Sequence, residues 1–110
     1  MEKNVISTDL TGKVAVVTGA GGVLCSVIAK ALARAGAKVA LLNRSTAAIE
    51  QYAAEIIAGG GIAKAYQCNV LDKARCYEVA DEVLRDIGPC DILVNGAGGN
   101  NAMSQTDKEF

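Results

Sequence analysis

The chain has 110 residues, a formal charge of −1 and twelve glycines, and 51% of its residues are hydrophobic. This length and composition predict one compact domain and exclude a disordered tail. The balanced charge provides no basic stripe for a nucleic-acid backbone, so we expect no nucleic-acid partner. No apolar run approaches the roughly eighteen residues of a membrane span, and no apolar signal core follows the N-terminus. We therefore expect a cytoplasmic protein that does not contact the membrane.

The cysteines are widely spaced. Cys25, Cys68, Cys76 and Cys90 form no Cys-x-x-Cys pair, and the chain contains no histidine. A metal site is therefore not expected, and a disulfide framework has little support. Because free cysteine is among the most frequently buried residue types, we expect four reduced thiols that pack in or near the core.

Apolar strands alternate with helical segments along the chain, a pattern typical of βαβ units on a parallel sheet. Strands are predicted near residues 14–18, 38–42, 62–67 and 91–94. The first helix is expected to end at Gly36 in the left-handed conformation. The second begins near Ser45 or Thr46 and ends at a run of three glycines, and the third begins at Asp72 as its N-cap and ends at Gly88-Pro89.

Right-handed crossovers between parallel strands determine most of the topology. The first three strands step outward in one direction, and the fourth returns to the other side of the first, so the predicted strand order is 3-2-1-4. The predicted fold class is α/β, a doubly wound parallel sheet of the Rossmann type, with two helices on one face and the third on the other. Ligands of such sheets bind beside the carboxyl ends of the strands, where the order reverses.

Two of the predicted strands run directly into glycine-rich turns. After the first strand come Gly19, Gly21 and Gly22, where free N–H groups and the positive end of the helix dipole suit a pyrophosphate. A Cβ there would obstruct the backbone's approach or be strained at positive φ. An ordinary tight turn is the alternative. The candidate dinucleotide-binding residues of the two turns are Gly19, Gly21, Gly22, Val23, Leu24, Asn95, Gly96, Ala97 and Gly98.

The second strand ends at Asn43 and Arg44, where an acidic residue would usually bind the ribose 2′-hydroxyl of NAD. Asn43 carries no charge that would repel a 2′-phosphate, and the planar guanidinium of Arg44 could pair with one. These residues predict NADP as the preferred cofactor, with NAD as the alternative. Arg44 could instead be a solvated charge at the start of a helix.

The segment Leu10-Thr11-Gly12-Lys13, followed by the first strand, resembles the opening of short-chain dehydrogenases/reductases, and Asn95-Gly96-Ala97-Gly98 is similar to their Asn-Asn-Ala-Gly turn. The resemblance covers nearly the whole chain. It implies a nicotinamide cofactor and an enzyme that moves hydride between the nicotinamide and a hydroxyl or ketone carbon. The family's glycine pattern TGxxxGxG is incomplete here, because Val23 and Cys25 occupy its last two glycine positions.

The resemblance also implies roles for two asparagines. Asn69, followed by Val70, stands where the family often has an aspartate that contacts adenine, and an amide carbonyl could accept the same hydrogen bond. A local turn-former is an equally good interpretation of Asn69. Asn95 is expected to brace the strands rather than react, while Gly96 and Gly98 would let the adenosine ribose and the nicotinamide side approach closely.

The family's catalytic Tyr-x-x-x-Lys pair is not found in this chain. The three tyrosines and the residues four positions later are Tyr52 and Ile56, Tyr66 and Val70, and Tyr77 and Asp81. We therefore assign no catalytic residue and expect residues 1–110 to be the N-terminal, cofactor-binding part of a single domain, truncated before its catalytic segment. The rival hypothesis is a sensor or interaction module that binds NAD(P) without turnover.

A narrower resemblance concerns the substrate. The segments Gly21-Gly22-Val23-Leu24-Cys25-Ser26 and Asn95-Gly96-Ala97-Gly98-Gly99-Asn100 look like those of family members described as D-mannonate (fructuronate) oxidoreductases. This implies a small hydroxy or keto substrate, such as a sugar acid, for the parent enzyme. The uncharged run Ile92-Leu93-Val94 on an edge strand predicts that the isolated chain self-associates, or else that it is a proteolytic fragment of a longer protein that covers this surface. We expect a homo-oligomer.

Overall fold

The computed structural model describes residues 9–96, in which strands and helices alternate. The elements are β1 (Val14–Thr18), α1 (Val23–Arg34), β2 (Lys38–Asn43), α2 (Ala47–Ala58), β3 (Ile62–Gln67), α3 (Lys73–Asp86) and β4 (Ile92–Asn95). Neighbouring strands are all parallel, and the sheet order is β3-β2-β1-β4. The predicted topology is confirmed. β1 and β3 have the predicted bounds, whereas β2 is one residue longer and β4 is shifted by one residue.

The helix ends follow local signals in the sequence. Gly36 adopts a φ of +107° after α1, as predicted, and Gly60 adopts +96° after α2. Asp72 caps α3 as predicted, because its side chain accepts the N–H of Arg75 at 3.1 Å. Thr46 precedes α2 but forms no capping hydrogen bond through its side chain. The end of α1 and the start of α3 could therefore be predicted from single residues.

Each face of the sheet forms one layer of the core with its own helices. Alternate residues of β1 and β2 point to opposite faces, so one set meets α1 and α2 and the other meets α3. The first layer includes Ala15, Val17, Val39, Leu41, Ala29, Ile49, Ala53 and Ile56. The second layer includes Val14, Val16, Ala40, Leu42, Tyr66, Cys76, Val79 and Val83. The predicted placement of two helices on one face and the third on the other is confirmed.

Not every apolar helical position is buried. Val23, Leu24 and Val27 give α1 part of its apolar periodicity, yet their exposed fractions are 82%, 70% and 56%. The first turn of α1 thus extends beyond the layer formed by the described elements, and its apolar side chains lie at the surface.

The four cysteines do not form disulfides with one another. Cys68 and Cys76 are buried, with their Sγ atoms 3.8 Å apart, whereas Cys25 and Cys90 are half-buried. Within residues 9–96, no group of three histidine, cysteine or acidic side chains could hold a metal ion. The same part of the chain contains no helix that is long and apolar enough to span a membrane.

Candidate functional site

A cleft of about 500 Å³ opens at the carboxyl ends of β1, β2 and β3. Three loops meet there, because parallel strands all end at the same edge of the sheet. The residues that line the cleft are Gly19, Asn43, Arg44, Ser45, Cys68, Asn69, Val70 and Leu71. Five of these, all but Ser45, Cys68 and Leu71, are candidates from the sequence, and the fold brings them together from three separate loops.

The turn after β1 leads into the exposed N-terminus of α1. Gly19 has a φ of +63°, and the N–H of Ala20 donates to the Leu42 carbonyl at 3.0 Å, which fixes the turn to β2. Gly22 is the N-cap of α1, with no capping side chain and no acidic residue in the first turn. The helix dipole at this end is therefore not neutralised by its own first turn, and its N–H groups can bind an anion.

The three predicted glycines of this turn are needed for different reasons. Only Gly19 has a positive φ, so the conformational argument applies to it alone. A Cβ on Gly21 would lie 2.6 Å from Nδ2 of Asn43, so Gly21 makes room for that side chain. A Cβ on Gly22 would meet nothing closer than the Gly19 carbonyl at 3.5 Å. Gly22 thus leaves space in front of the helix that a bound phosphate group could use.

The loop after β2 holds its backbone by hydrogen bonds and presents an exposed arginine. Asn43 donates from Nδ2 to the Ser45 carbonyl at 3.0 Å. The Arg44 carbonyl accepts a hydrogen bond of 3.3 Å from Nε2 of Gln67, while the Arg44 side chain is exposed. The residues that line the cleft in the described part of the chain include no Asp or Glu. The lining therefore contributes a positive charge and no opposing carboxylate.

The loop after β3 supports the interpretation of Asn69 as a turn-forming residue. Its Oδ1 accepts the N–H of Leu71 at 3.0 Å, and its carbonyl accepts the N–H of Asp72 at 2.8 Å. Asn69 is therefore a turn-former. Because an amide oxygen has two lone pairs, the same atom can also accept a hydrogen bond from a ligand.

Cys68 forms a neutral part of the cleft wall. Burial, followed by the neighbouring Cys76, raises the pKa of Cys68 to about 12. The thiolate is the reactive form of cysteine, so Cys68 remains a protonated packing group at neutral pH.

Thr18 joins the ends of β1 and β4. Its hydroxyl donates to Oδ1 of Asn95 at 2.9 Å and accepts the N–H of Gly96 at 3.0 Å. Asn95 thus braces the two strands, as predicted. Sequence reasoning missed Thr18, although one signal was available: it is the only polar residue of β1 and directly precedes Gly19.

The remaining candidates lie elsewhere. Val23 and Leu24 form the exposed first turn of α1, outside the cleft lining. Ala97 and Gly98 lie outside the described residues. Tyr66 has a structural role, because burial and the carboxylate of Asp86, which accepts its hydroxyl at 3.0 Å, raise the pKa of Tyr66.

A parallel sheet in this order, with a glycine turn and a helix N-terminus after its first strand, defines a Rossmann-type nucleotide-binding protein. The family model described as short chain dehydrogenase matches residues 13–110. The chain belongs to the short-chain dehydrogenase family. The predicted resemblance to this family is confirmed.

The chain is also similar to individual oxidoreductases of known sequence or structure. An uncharacterized oxidoreductase from Haemophilus influenzae is 50% identical over 102 residues, which is 93% of this chain and 36% of that protein. A Haemophilus structure with bound NAD, provisionally named D-mannonate oxidoreductase, is 50% identical over 94% of this chain and 37% of its own, with a TM-score of 0.81. A metagenomic short-chain oxidoreductase in complex with NADP is 39% identical over 80% of this chain and 40% of its own, with a TM-score of 0.75. The chain spans little more than a third of the length of these relatives.

Proposed function

We propose that this chain is the dinucleotide-binding part of a short-chain dehydrogenase that transfers hydride between NADP, or NAD, and a hydroxyl or ketone carbon of a small molecule. The observation that carries the proposal is the cleft at the carboxyl ends of β1, β2 and β3. There Gly19, Asn43, Arg44 and Asn69 converge beside a helix N-terminus that no side chain caps. This combination suits a ligand with an adenine, a ribose and a negatively charged pyrophosphate.

Each part of the dinucleotide has a proposed set of partners. The pyrophosphate would lie against the backbone from Gly19 to Leu24, in the space left by Gly22. The adenosine ribose would contact Asn43, and the adenine would lie between Asn69 and Val70. The turn that begins at Asn95 would face the nicotinamide side, where the bound nicotinamide supplies or accepts the hydride.

We propose that NADP is preferred over NAD. Asn43 is uncharged, the guanidinium of Arg44 is exposed at the mouth of the cleft, and the described lining carries no carboxylate. A 2′-phosphate would gain a charge-assisted, bidentate partner in Arg44. Asn43 does not exclude NAD, since an amide can also bond a ribose hydroxyl. Among the relatives, one structure contains NAD and another NADP.

For the whole protein we propose an enzyme that includes a segment after this chain, because the relatives are about three times as long. That segment would supply the proton-transfer Tyr-x-x-x-Lys pair. A sugar acid such as D-mannonate or fructuronate is the proposed substrate, in line with the name of the Haemophilus structure. A cytoplasmic location and a homo-oligomeric assembly stay predictions.

The test is a turnover assay on the full-length protein. We expect oxidation of NADPH in the presence of fructuronate, with a smaller rate for NADH. A matched protein that carries Gly19→Val should lose both rates. Tight binding of NADPH without turnover of any sugar acid, hydroxy acid or ketone would favour the sensor or interaction module instead.

A further inference from the structure

The residue that follows β4 is in unusually close contact with α1. A Cβ built on Gly96 would overlap the sulfur of Cys25, and it would lie 2.9 Å from the Thr18 carbonyl oxygen and 3.6 Å from Cβ of Cys25. Cys25 belongs to the first turn of α1, and its thiol is half-buried. The sulfur therefore occupies the volume that any side chain at position 96 would need.

Both positions also depart from the family's motifs, as does Val23. The pattern TGxxxGxG has glycine where this chain has Cys25, and the Asn-Asn-Ala-Gly turn has asparagine where this chain has Gly96. This chain thus has a side chain at position 25, where the family's pattern has glycine, and glycine at position 96, where the family's turn has a side chain. The direct contact between the positions gives the exchange a physical reason, because only one of them can carry a side chain at this spacing.

We propose that Cys25 is a positioning residue that packs against Gly96, the residue after β4, in place of a side chain at position 96. Gly96 is held on one side by the hydrogen bond from its N–H to Oγ1 of Thr18, at 3.0 Å. It is held on another side by the Cys25 sulfur. Together these contacts set the distance between the first turn of α1 and Gly96, directly after β4. The inference rests on the proposed function, because these two segments would enclose the dinucleotide.

The consequence is a specific coupling between two substitutions. Gly96→Ala should displace residue 96 when Cys25 is present, because the new methyl group and the Cys25 sulfur would then need the same space. After Cys25→Gly, the new methyl group can occupy the space of the sulfur, but the Thr18 carbonyl oxygen, a backbone atom 2.9 Å from the new Cβ, must still move. Position 96 should therefore tolerate a side chain better when position 25 has none, with part of the cost remaining.

The experiment is a double-mutant cycle in the full-length protein, with the dissociation constant of NADP and the thermal midpoint as readouts. Gly96→Ala should weaken NADP binding about tenfold or more in the wild-type background, and at least about threefold less than that in the Cys25→Gly background, where only the Thr18 carbonyl still has to move. In a Cys25→Ser background, which keeps an atom at the γ position, Gly96→Ala should again cost about tenfold. Gly59→Ala is the control, because its Cβ would meet no atom closer than 3.6 Å.

Equal effects of Gly96→Ala in the wild-type and Cys25→Gly backgrounds would overturn the inference and leave the proposed function intact. If Gly96→Ala alone does not fold, the double variant decides: a folded double variant that binds NADP supports the inference, and an unfolded one overturns it. A wild-type protein that binds no dinucleotide would overturn the proposed function, and the positioning role with it.

Discussion

The carboxyl edge of the sheet and the packed body beneath it are built from opposite kinds of residue. At the edge, Gly19, Asn43 and Asn69 form turns whose backbones are held by hydrogen bonds, and Arg44 is exposed. In the body, all five residues of β1 are buried, as are the four central residues of β2. The groups of the proposed binding site thus lie where the backbone is accessible, whereas the buried apolar side chains lie where it is not.

This contrast teaches that binding and stability should respond to different substitutions. A change at the edge that preserves backbone conformation should alter ligand affinity alone, because it removes little buried surface. A change in the body should alter stability alone, because the buried side chains of β1 and β2 lie beneath the loops. Cys68 is an exception, since it belongs to the second core layer and also lines the cleft. The following experiments test that separation.

The largest effect is expected for the 110-residue chain by itself, which should have no dehydrogenase activity. The edge provides groups for binding a dinucleotide, but the chain contains no Tyr-x-x-x-Lys pair for proton transfer. Incubation with NADPH and fructuronate or other keto acids should give only the background rate. Turnover that copurifies with the chain and disappears after mutation of Gly19 would contradict this prediction.

The next effect compares two glycines with positive φ, Gly19 at +63° and Gly60 at +96°. Valine at either position should cost about 1–3 kcal/mol of stability, because a β-branched residue is strained there. Gly19→Val should also weaken dinucleotide binding by about two orders of magnitude, since it adds bulk and displaces the N–H groups of the turn. Calorimetric titration of the full-length variants measures this difference. A comparable loss of affinity in Gly60→Val, an exposed turn position outside the cleft lining, would show that the effect is not specific to the carboxyl edge.

Arg44→Ala should affect only one cofactor. We expect NADP binding to weaken by about 1.5–3 kcal/mol, the scale of hydrogen bonds to charged groups, with NAD binding nearly unchanged. Arg34→Ala is the matched control, since Arg34 is an exposed arginine in the last turn of α1, at the other end of that helix. Titrations of the full-length protein that show equal losses for both cofactors, or tighter binding of NAD, would refute the proposed preference.

The smallest effect is expected for Tyr66→Phe, which removes a hydroxyl from the body of the fold. Tyr66 donates to Oδ2 of Asp86 at 3.0 Å, so its loss should cost about 1 kcal/mol of stability at neutral pH and leave dinucleotide affinity unchanged. Tyr77→Phe is the control, because Tyr77 is exposed. Chemical denaturation measures both variants, and an equal loss in each would contradict the assigned role of Tyr66.

The Tyr66 effect should also depend on pH. Hydrogen bonds from Lys64 and then from Tyr66 lower the pKa of Asp86 from its ordinary value of 3.8. A carboxylate whose pKa is lower in the folded state than in the unfolded state stabilises the protein at pH values above the unfolded-state pKa. This stability is lost as the pH falls through the folded-state pKa. The difference between wild type and Tyr66→Phe should therefore be constant at neutral pH and shrink below about pH 4. A difference that grows on acidification would be inconsistent with this hydrogen bond.

Much of the fold could be predicted because its signals are local or follow from chirality. Gly36 and Asp72 mark helix ends through the conformation and the hydrogen bond of a single residue. The strand order follows from the right-handed crossover, a rule that needs only the sequence of elements. Of the five predicted residues that line the cleft, Gly19, Asn43 and Arg44 could be found because they lie within two residues of a predicted strand end, whereas Asn69 and Val70 were implied by the family resemblance.

The contacts between segments distant in sequence were decided by the tertiary structure. Three contacts join segments that are distant in sequence: the hydrogen bonds of Thr18 with Asn95 and Gly96, the approach of Asn43 to Gly21, and the space that Cys25 takes from position 96. Apolar periodicity likewise indicates that α1 is a helix but does not show that Val23 and Leu24 are exposed. Periodicity reports the repeat of one segment, whereas burial and contact depend on where the neighbouring segments lie after folding.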